Sequence, residues 1–252
     1  MESLTAGQFS LVYNAFSFGI AAFAAATLFF WFGRSQVSHH YKTAMTITGL
    51  VTFIAFYHYW RIFSSWGETY EVANGVVTAT GIQFNRAYRY VDWLLTVPLL
   101  LIELILVMRL SQAETVSKSL KLGGAAALMI LLGYPGEVSA GIDTTRLIFG
   151  ALSMIPFLYI VYSLYSSLGE AIARQHESVR NLIRLARNLT VVSWFFYPVV
   201  YFLPFVLRMN GGTSIAVIEV GYTIADITAK AVFGLVIFAI AVRKSEAEGL
   251  KA

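Results

Sequence analysis

The chain is 252 residues long, 58% hydrophobic and only 13% charged, where a soluble globular domain carries about 25% charged residues. It has no cysteine, which excludes disulfides and thiolate metal centres. Its net charge of +4 comes without a Gly-rich phosphate loop or a nucleic-acid motif, so no nucleic-acid partner is expected, and the long apolar runs point to lipid.

A hydrocarbon core of about 30 Å takes roughly 20 apolar residues in a helix. Seven segments are read as spans: 9–32, 44–64, 86–108, a shorter one at 120–132, 144–168, 189–207 and 214–242. The expected class is all-α, a seven-transmembrane helix bundle forming one membrane domain over residues 1–252, with a short tail from about residue 243. Met1-Glu2-Ser3-Leu4 lacks the basic n-region of a secretory signal, so the first run is expected to stay as a helix. Between spans two and three, residues 70–84 (YEVANGVVTATGIQF) are rich in Val and Thr around Asn74-Gly75. That pair favours a type I′ turn, which predicts a short extracellular β-hairpin. The run GYPGE at 133–137 is read as an outer loop. Residues 173–188 keep helical character but are polar, with Arg180, Arg184 and Arg187 on one face. They read as an extension of the sixth helix toward anionic headgroups.

Loop charge sets the expected orientation. Of the 18 Lys and Arg, Arg89 and Lys230 fall inside spans. Arg61, Arg86, Arg146 and Arg208 fall on one side, and the others, Arg109, Lys244 and Lys251 among them, on the opposite side. The richer side is cytoplasmic by the positive-inside bias, which puts the N-terminus outside and the C-terminus inside a cell membrane.

Charges within spans cost roughly 3 kcal/mol each on insertion scales and are usually functional. Here they are Arg89, Asp92, Glu103, Glu219, Asp226 and Lys230. On the third helix Arg89, Asp92 and Thr96 share a face. Glu103, eleven residues past Asp92, returns to within about 20° of it and roughly 16 Å along the axis. Two carboxylates on one face, half a membrane apart, suit a proton relay. On the seventh helix Asp226 lies one turn before Lys230. A buried lysine amine can condense with a carbonyl, and the resulting cation would need the carboxylates of Asp92 and Asp226 beside it. Glu219 reads either as part of a proton-release group or as a solvated cap residue. His58 reads either as a partner that shares charge with Asp92 or as a histidine satisfied by a backbone carbonyl. The adjacent His39 and His40 read as solvated loop residues, and no metal site is expected.

Three runs carry a family resemblance: RYVDWLLTVPLLLIEL at 89–104, DITAK at 226–230, and WFFYP at 194–198. Together they resemble the microbial (type 1) rhodopsins, over about 230 residues. Asp92, Thr96 and Glu103 are similar to the proteorhodopsin- and xanthorhodopsin-like proton pumps; the chloride-pump and sodium-pump patterns do not fit. The resemblance implies all-trans retinal on Lys230 as a Schiff base that isomerises to 13-cis in light. It further implies Asp92 as proton acceptor with His58 as its partner, Glu103 as proton donor, and Arg89 and Asp226 completing the counterion. Trp93, Trp194, Tyr197, Pro198 and Tyr201 would form the pocket, and Leu100 stands where leucine accompanies green absorption. Gly150, in RLIFGALSMIPFLY, matches a position where a glycine can open a lateral window for a hydroxylated carotenoid antenna; close helix packing is the plainer reading. The implied function is a light-driven outward proton pump, not an enzyme, assembled as a homo-oligomer (pentamer or hexamer) in the lipid bilayer. The alternative is a sensory photoreceptor acting through a partner protein. The presence of Glu103 favours pumping.

Overall fold

The apolar runs become helices because no other open-ended structure satisfies its own backbone polar groups in lipid. The computed structural model describes residues 4–139, 144–207 and 211–249; Arg208 and Lys251 lie outside the described residues. The helices are α1 (Ala6–Gly33), α2 (Lys42–Thr69), α3 (Ala87–Met108), α4 (Gln112–Glu137), α5 (Thr144–Tyr165, continuing after Ser166 as Ser167–Ala173), α6 (Glu177–Leu207) and α7 (Gly212–Ala247). Five of them, α1, α3, α4, α5 and α7, are long and apolar enough to cross a membrane. α2 and α6 complete the bundle of seven, in agreement with the expected class.

Local signals mark several ends. Thr5 and Gln8 form a reciprocal capping box at the start of α1. Ser111 accepts the Glu114 amide at the start of α4. α3 stops where Arg109 turns left-handed, at φ 52°.

Consecutive helices pack side by side, and α7 closes the ring against α1. More than half of the apolar stretch of α3 and α7 is buried, against a third or less in α1, α4 and α5. α3 and α7, the two helices that carry intramembrane charges, are therefore the inner ones. Phe18, Phe32, Leu120, Tyr162 and Val192 are each exposed on the outside, as side chains facing lipid tails would be.

β1 (Tyr70–Ala73) and β2 (Val76–Ala79) pair antiparallel, Tyr70 opposite Ala79 and Ala73 opposite Val76. Asn74 and Gly75 have φ of 52° and 77°, the pair of positive values that a type I′ turn needs. The hairpin is fastened where the Thr80 hydroxyl donates to the Glu68 carbonyl, 2.7 Å. With seven crossings the two termini lie on opposite faces, called below the hairpin face and the C-terminal face.

The structure departs from the sequence reading at some ends. GYPGE is not a loop but the last turns of α4. Its glycines are packing positions: a Cβ on Gly136 would meet the Tyr201 hydroxyl, and one on Gly133 would touch Tyr90 and Ser153. Arg146 belongs to α5 and is buried, not a loop charge. α7 continues as helix to Ala247, past the expected start of a tail.

Candidate functional site

Lys230 sits in a π-helical segment, Ile227–Val232, inside α7. Such wide turns recur at functional sites, because one extra residue per turn re-aims the side chain. Here it sends the amine into the bundle, where Lys230 is almost wholly buried. Its Nζ donates to Asp92 Oδ2 on α3 and lies 3.2 Å from Asp226 Oδ1, one turn earlier on α7. Asp226 accepts three further hydrogen bonds: Tyr59 OH at 2.8 Å, Tyr197 OH at 2.7 Å and Trp93 Nε1 at 3.0 Å. Donors from α2, α3 and α6 thus converge on one carboxylate.

Arg89, three residues before Asp92, turns toward the hairpin face. Its guanidinium donates to Glu219 at 2.6 Å and lies 5.0 Å from the Tyr222 ring centre. Both side chains of this pair are buried. Glu219 is therefore no solvated cap. Arg89 completes the charged cluster through Glu219 and not by direct contact with Asp92. Lys230 and Arg89 together stand against Asp92, Asp226 and Glu219, two basic side chains against three acidic ones.

His58 and Thr96 meet backbone. His58 Nδ1 is 2.9 Å from the Ile54 carbonyl, and since that oxygen only accepts, Nδ1 carries a proton. The histidine is thus satisfied by a backbone carbonyl on one side, and it forms no hydrogen bond to Asp92. Thr96 donates to the backbone carbonyl of Asp92, 2.8 Å, and not to its carboxylate. Asp92 Oδ1 is buried with no hydrogen-bond partner. Farther along α3 toward the C-terminal face, Glu103 is fully buried; the Thr48 hydroxyl, which donates to the Ala44 carbonyl, lies near its carboxyl group, and among the described residues no charged group does. A charge there would be uncompensated, so the neutral acid is the form the site accommodates at least cost.

Lys230 and Asp226 line a cavity of about 760 Å³, counting its open side. Trp93, Leu100, Gly150, Trp194, Tyr197, Pro198 and Tyr201 all line it. Apolar and aromatic walls ending in one amine fit a long hydrophobic carbonyl compound of the retinal type, with Lys230 Nζ as the attachment atom. Among the described residues no cluster of His, Asp and Glu is suited to a metal ion.

Gly150, in the cavity wall, and Gly136 both make room for the Tyr201 ring. A Cβ on Gly150 would lie 2.6 Å from Tyr201 Cε1 and 2.7 Å from Phe202 Cζ. Tyr201 OH donates to the Arg146 carbonyl at 3.0 Å, and Arg146 reaches back to the Tyr201 carbonyl at 3.3 Å. Arg146 also pairs with Glu137 at 3.0 Å.

Sequence reasoning missed Tyr59, Tyr222 and the Arg146–Glu137 pair. Tyr59 directly follows His58, but nothing in its spacing points to Asp226, 167 residues away. For Glu137 and Arg146 the signal was present, two opposite charges beside apolar runs.

The comparisons with known proteins agree with this geometry. A family described as "Bacteriorhodopsin-like protein" matches residues 11–244. The chain is 34% identical to a green-light absorbing proteorhodopsin from Gamma-proteobacterium EBAC31A08, over 92% of this chain and 88% of the relative. It is 31% identical to bacteriorhodopsin from Halobacterium salinarum, over 87% and 79%. The solved structure of xanthorhodopsin, described as a light-driven ion pump with dual chromophore, superposes with a TM-score of 0.93 at 49% identity, covering 99% of this chain and all of that one. A thermophilic rhodopsin gives 0.94 at 45% identity, again over 99% of this chain and all of that one. With the motifs of α3 and α7 meeting at a buried lysine, the chain belongs to the bacteriorhodopsin-like proteins, the microbial rhodopsins.

Proposed function

We propose that this protein is a light-driven outward proton pump, with retinal carried on Lys230. The observation that carries the reading is the placement of three groups: Lys230 Nζ bonded to Asp92 on its hairpin side, and Glu103 isolated toward the C-terminal face. Retinal joined to Nζ supplies the chemistry, a photoisomerisation that changes the direction and proton affinity of that nitrogen. Asp92 Oδ2 is already within hydrogen-bond reach of the proton on Nζ and accepts it as general base. Asp226, held by three donors, keeps its charge and orientation while Asp92 is neutralised. Glu103 holds a proton in a dry environment and returns it to Nζ from the other side. Arg89, paired with Glu219, provides the positive charge beyond Asp92. His58, which makes no hydrogen bond to Asp92 here, would act as its partner through Nε2, the nitrogen not committed to a carbonyl, and Thr96 fixes the backbone from which Asp92 projects.

Orientation follows from loop charge, with the hairpin face outside and the C-terminal face in the cytoplasm. Leu100 in the cavity wall accords with green absorption, and a pentamer or hexamer is the assembly expected of the family. A carotenoid antenna is supported by Gly150 in the cavity wall and by the dual chromophore of xanthorhodopsin, 49% identical. Phe202 and Tyr201 lie in the notch at Gly150, so a hydroxylated carotenoid would have to shift at least one of those rings. Gly150→Trp should abolish energy transfer from added carotenoid; equal transfer in mutant and wild type rejects the antenna.

The pump reading is tested with unbuffered cells expressing the protein with all-trans retinal under green light. Acidification of the medium that a protonophore abolishes is the expected result. A retinal-dependent visible band without any light-driven pH change would favour the sensory alternative.

A further inference from the structure

On the C-terminal side of Glu103, groups from four parts of the chain meet at Lys244. Met108, the last residue of α3, lies five residues beyond Glu103, about 7.5 Å farther along the axis. Its carbonyl is one of those a helix end leaves without an intrahelical partner. Lys244 Nζ, from α7, donates to that carbonyl at 3.0 Å. The same ammonium donates to Gln175 Oε1 at 2.9 Å, in the connection between α5 and α6. It also lies 5.6 Å from the ring centre of Tyr41, the residue before α2. Tyr41 in turn donates to Glu248 at 2.5 Å, and Arg109 pairs with Glu248 at 2.6 Å. Lys244 and Tyr41 are both buried, although charge counting places Lys244 in a solvated loop.

Two features of Lys244 go beyond packing. Its acceptors are both neutral, a peptide carbonyl and an amide, so the ammonium can leave them for water at far less cost than it could leave a carboxylate. It also fixes a positive charge on the side from which Glu103 must recover its proton, and a fixed cation raises the local barrier to an arriving proton.

We propose that Lys244 is a latch on proton uptake: a positioning residue whose release from Gln175 and Met108 opens the C-terminal face so that Glu103 is recharged from solvent. This rests on the donor reading of Glu103 given above. While the latch is closed, the α5–α6 connection is tied to the ends of α3 and α7, and Glu103 stays dry. That favours passing its proton to Lys230 before a new one arrives.

The test is a flash experiment on full-length protein with retinal in vesicles, following pigment absorbance and a pH dye together. In Lys244→Met, loss of the proton from Lys230 should keep its wild-type rate, while uptake from the medium should quicken by about tenfold or more, the equivalent of one hydrogen bond made by a charged group. Lys244→Arg, which keeps charge and donors, should stay near wild type. Uptake in Lys244→Met that is unchanged or slower overturns the latch. Should that variant yield no pigment, Gln175→Ala removes one of the two acceptors, with about a two- to threefold acceleration expected; an unchanged rate there also overturns it. Glu103→Gln in the same assay separates the two readings: if it leaves reprotonation of Lys230 untouched, the donor assignment has failed, whereas slowed reprotonation beside unaltered Lys244 and Gln175 variants rejects the latch alone.

Discussion

On the hairpin side of Lys230 each buried carboxylate among the described residues has a partner: Asp92 the lysine, Asp226 the lysine and three neutral donors, Glu219 Arg89, and Glu137 Arg146. On the C-terminal side Glu103 has no charged partner, and beyond the end of α3 the Lys244 ammonium is bonded to neutral oxygens. The two halves differ in how a proton is held. In the first, a fixed network of charges stabilises ionised carboxylates and leaves Asp92 beside its donor. In the second, the absence of any counter-charge keeps one acid neutral until it is needed. On the roles proposed for them, the acceptor Asp92 and the donor Glu103 thus face Lys230 from unlike environments, and that asymmetry is what would give transport its direction.

The comparison breaks first at Asp92. Asp92→Asn keeps the shape of the site but removes the base, and light-driven proton export should fall by about 10²–10⁴-fold, the usual range for a general base. The measurement is the initial rate of acidification per molecule of pigment. Export within a factor of about two of wild type would move the acceptor role elsewhere in the network.

Glu219→Gln tests the hairpin side as structure. It leaves a buried guanidinium without its carboxylate, and breaking a buried pair costs about 3–5 kcal/mol. The expected sign is a lower thermal midpoint of the pigment band, with the visible colour retained because Asp92 and Asp226 still flank Lys230. An unchanged midpoint would mean that the Arg89–Glu219 contact carries little of the cluster's stability.

Glu103→Gln tests the other half as chemistry. The amide has no acidic proton to give, so reprotonation of Lys230 should slow by at least about tenfold at neutral pH, while loss of the proton to Asp92 keeps its rate. Time-resolved absorbance distinguishes the two steps, and equal slowing of both would argue against separate roles for the two halves.

What the sequence disclosed follows the same division. Spacing within one helix places residues on a face, and this brought out Arg89, Asp92 and Glu103 on α3 and Asp226 with Lys230 on α7. Partners between helices depend on how each helix is rotated and how deep it sits, and no periodicity encodes that. Arg89 finds Glu219 130 residues away, and Tyr59 finds Asp226 167 residues away. The π-helical segment around Lys230 was invisible for a related reason, since ITAKAV has an ordinary helical composition and the wide turn arises from packing. GYPGE misled because Gly and Pro usually mark turns. Here the glycines give up side chains so that α4 can approach Tyr201 and Tyr90, and Pro135 is accommodated within the helix.

The smallest effect gives the sharpest contrast, because the same kind of change should have opposite signs in the two halves. Glu103→Leu replaces a buried carboxyl lacking any charged partner by an apolar side chain of similar size. It removes a desolvated polar group and at most a contact with the Thr48 hydroxyl, which keeps its bond to Ala44, so the folded protein should gain about 1–2 kcal/mol. Asp226→Leu removes an acceptor of three donors, strands the Tyr59 and Tyr197 hydroxyls and the Trp93 indole N–H, and takes a carboxylate from Lys230; it should cost about 3–5 kcal/mol. Thermal midpoints of the two variants, measured in the same detergent, decide the matter. If Glu103→Leu destabilises as Asp226→Leu does, then Glu103 is held by more than its contact with Thr48, and the dry half of the comparison is wrong.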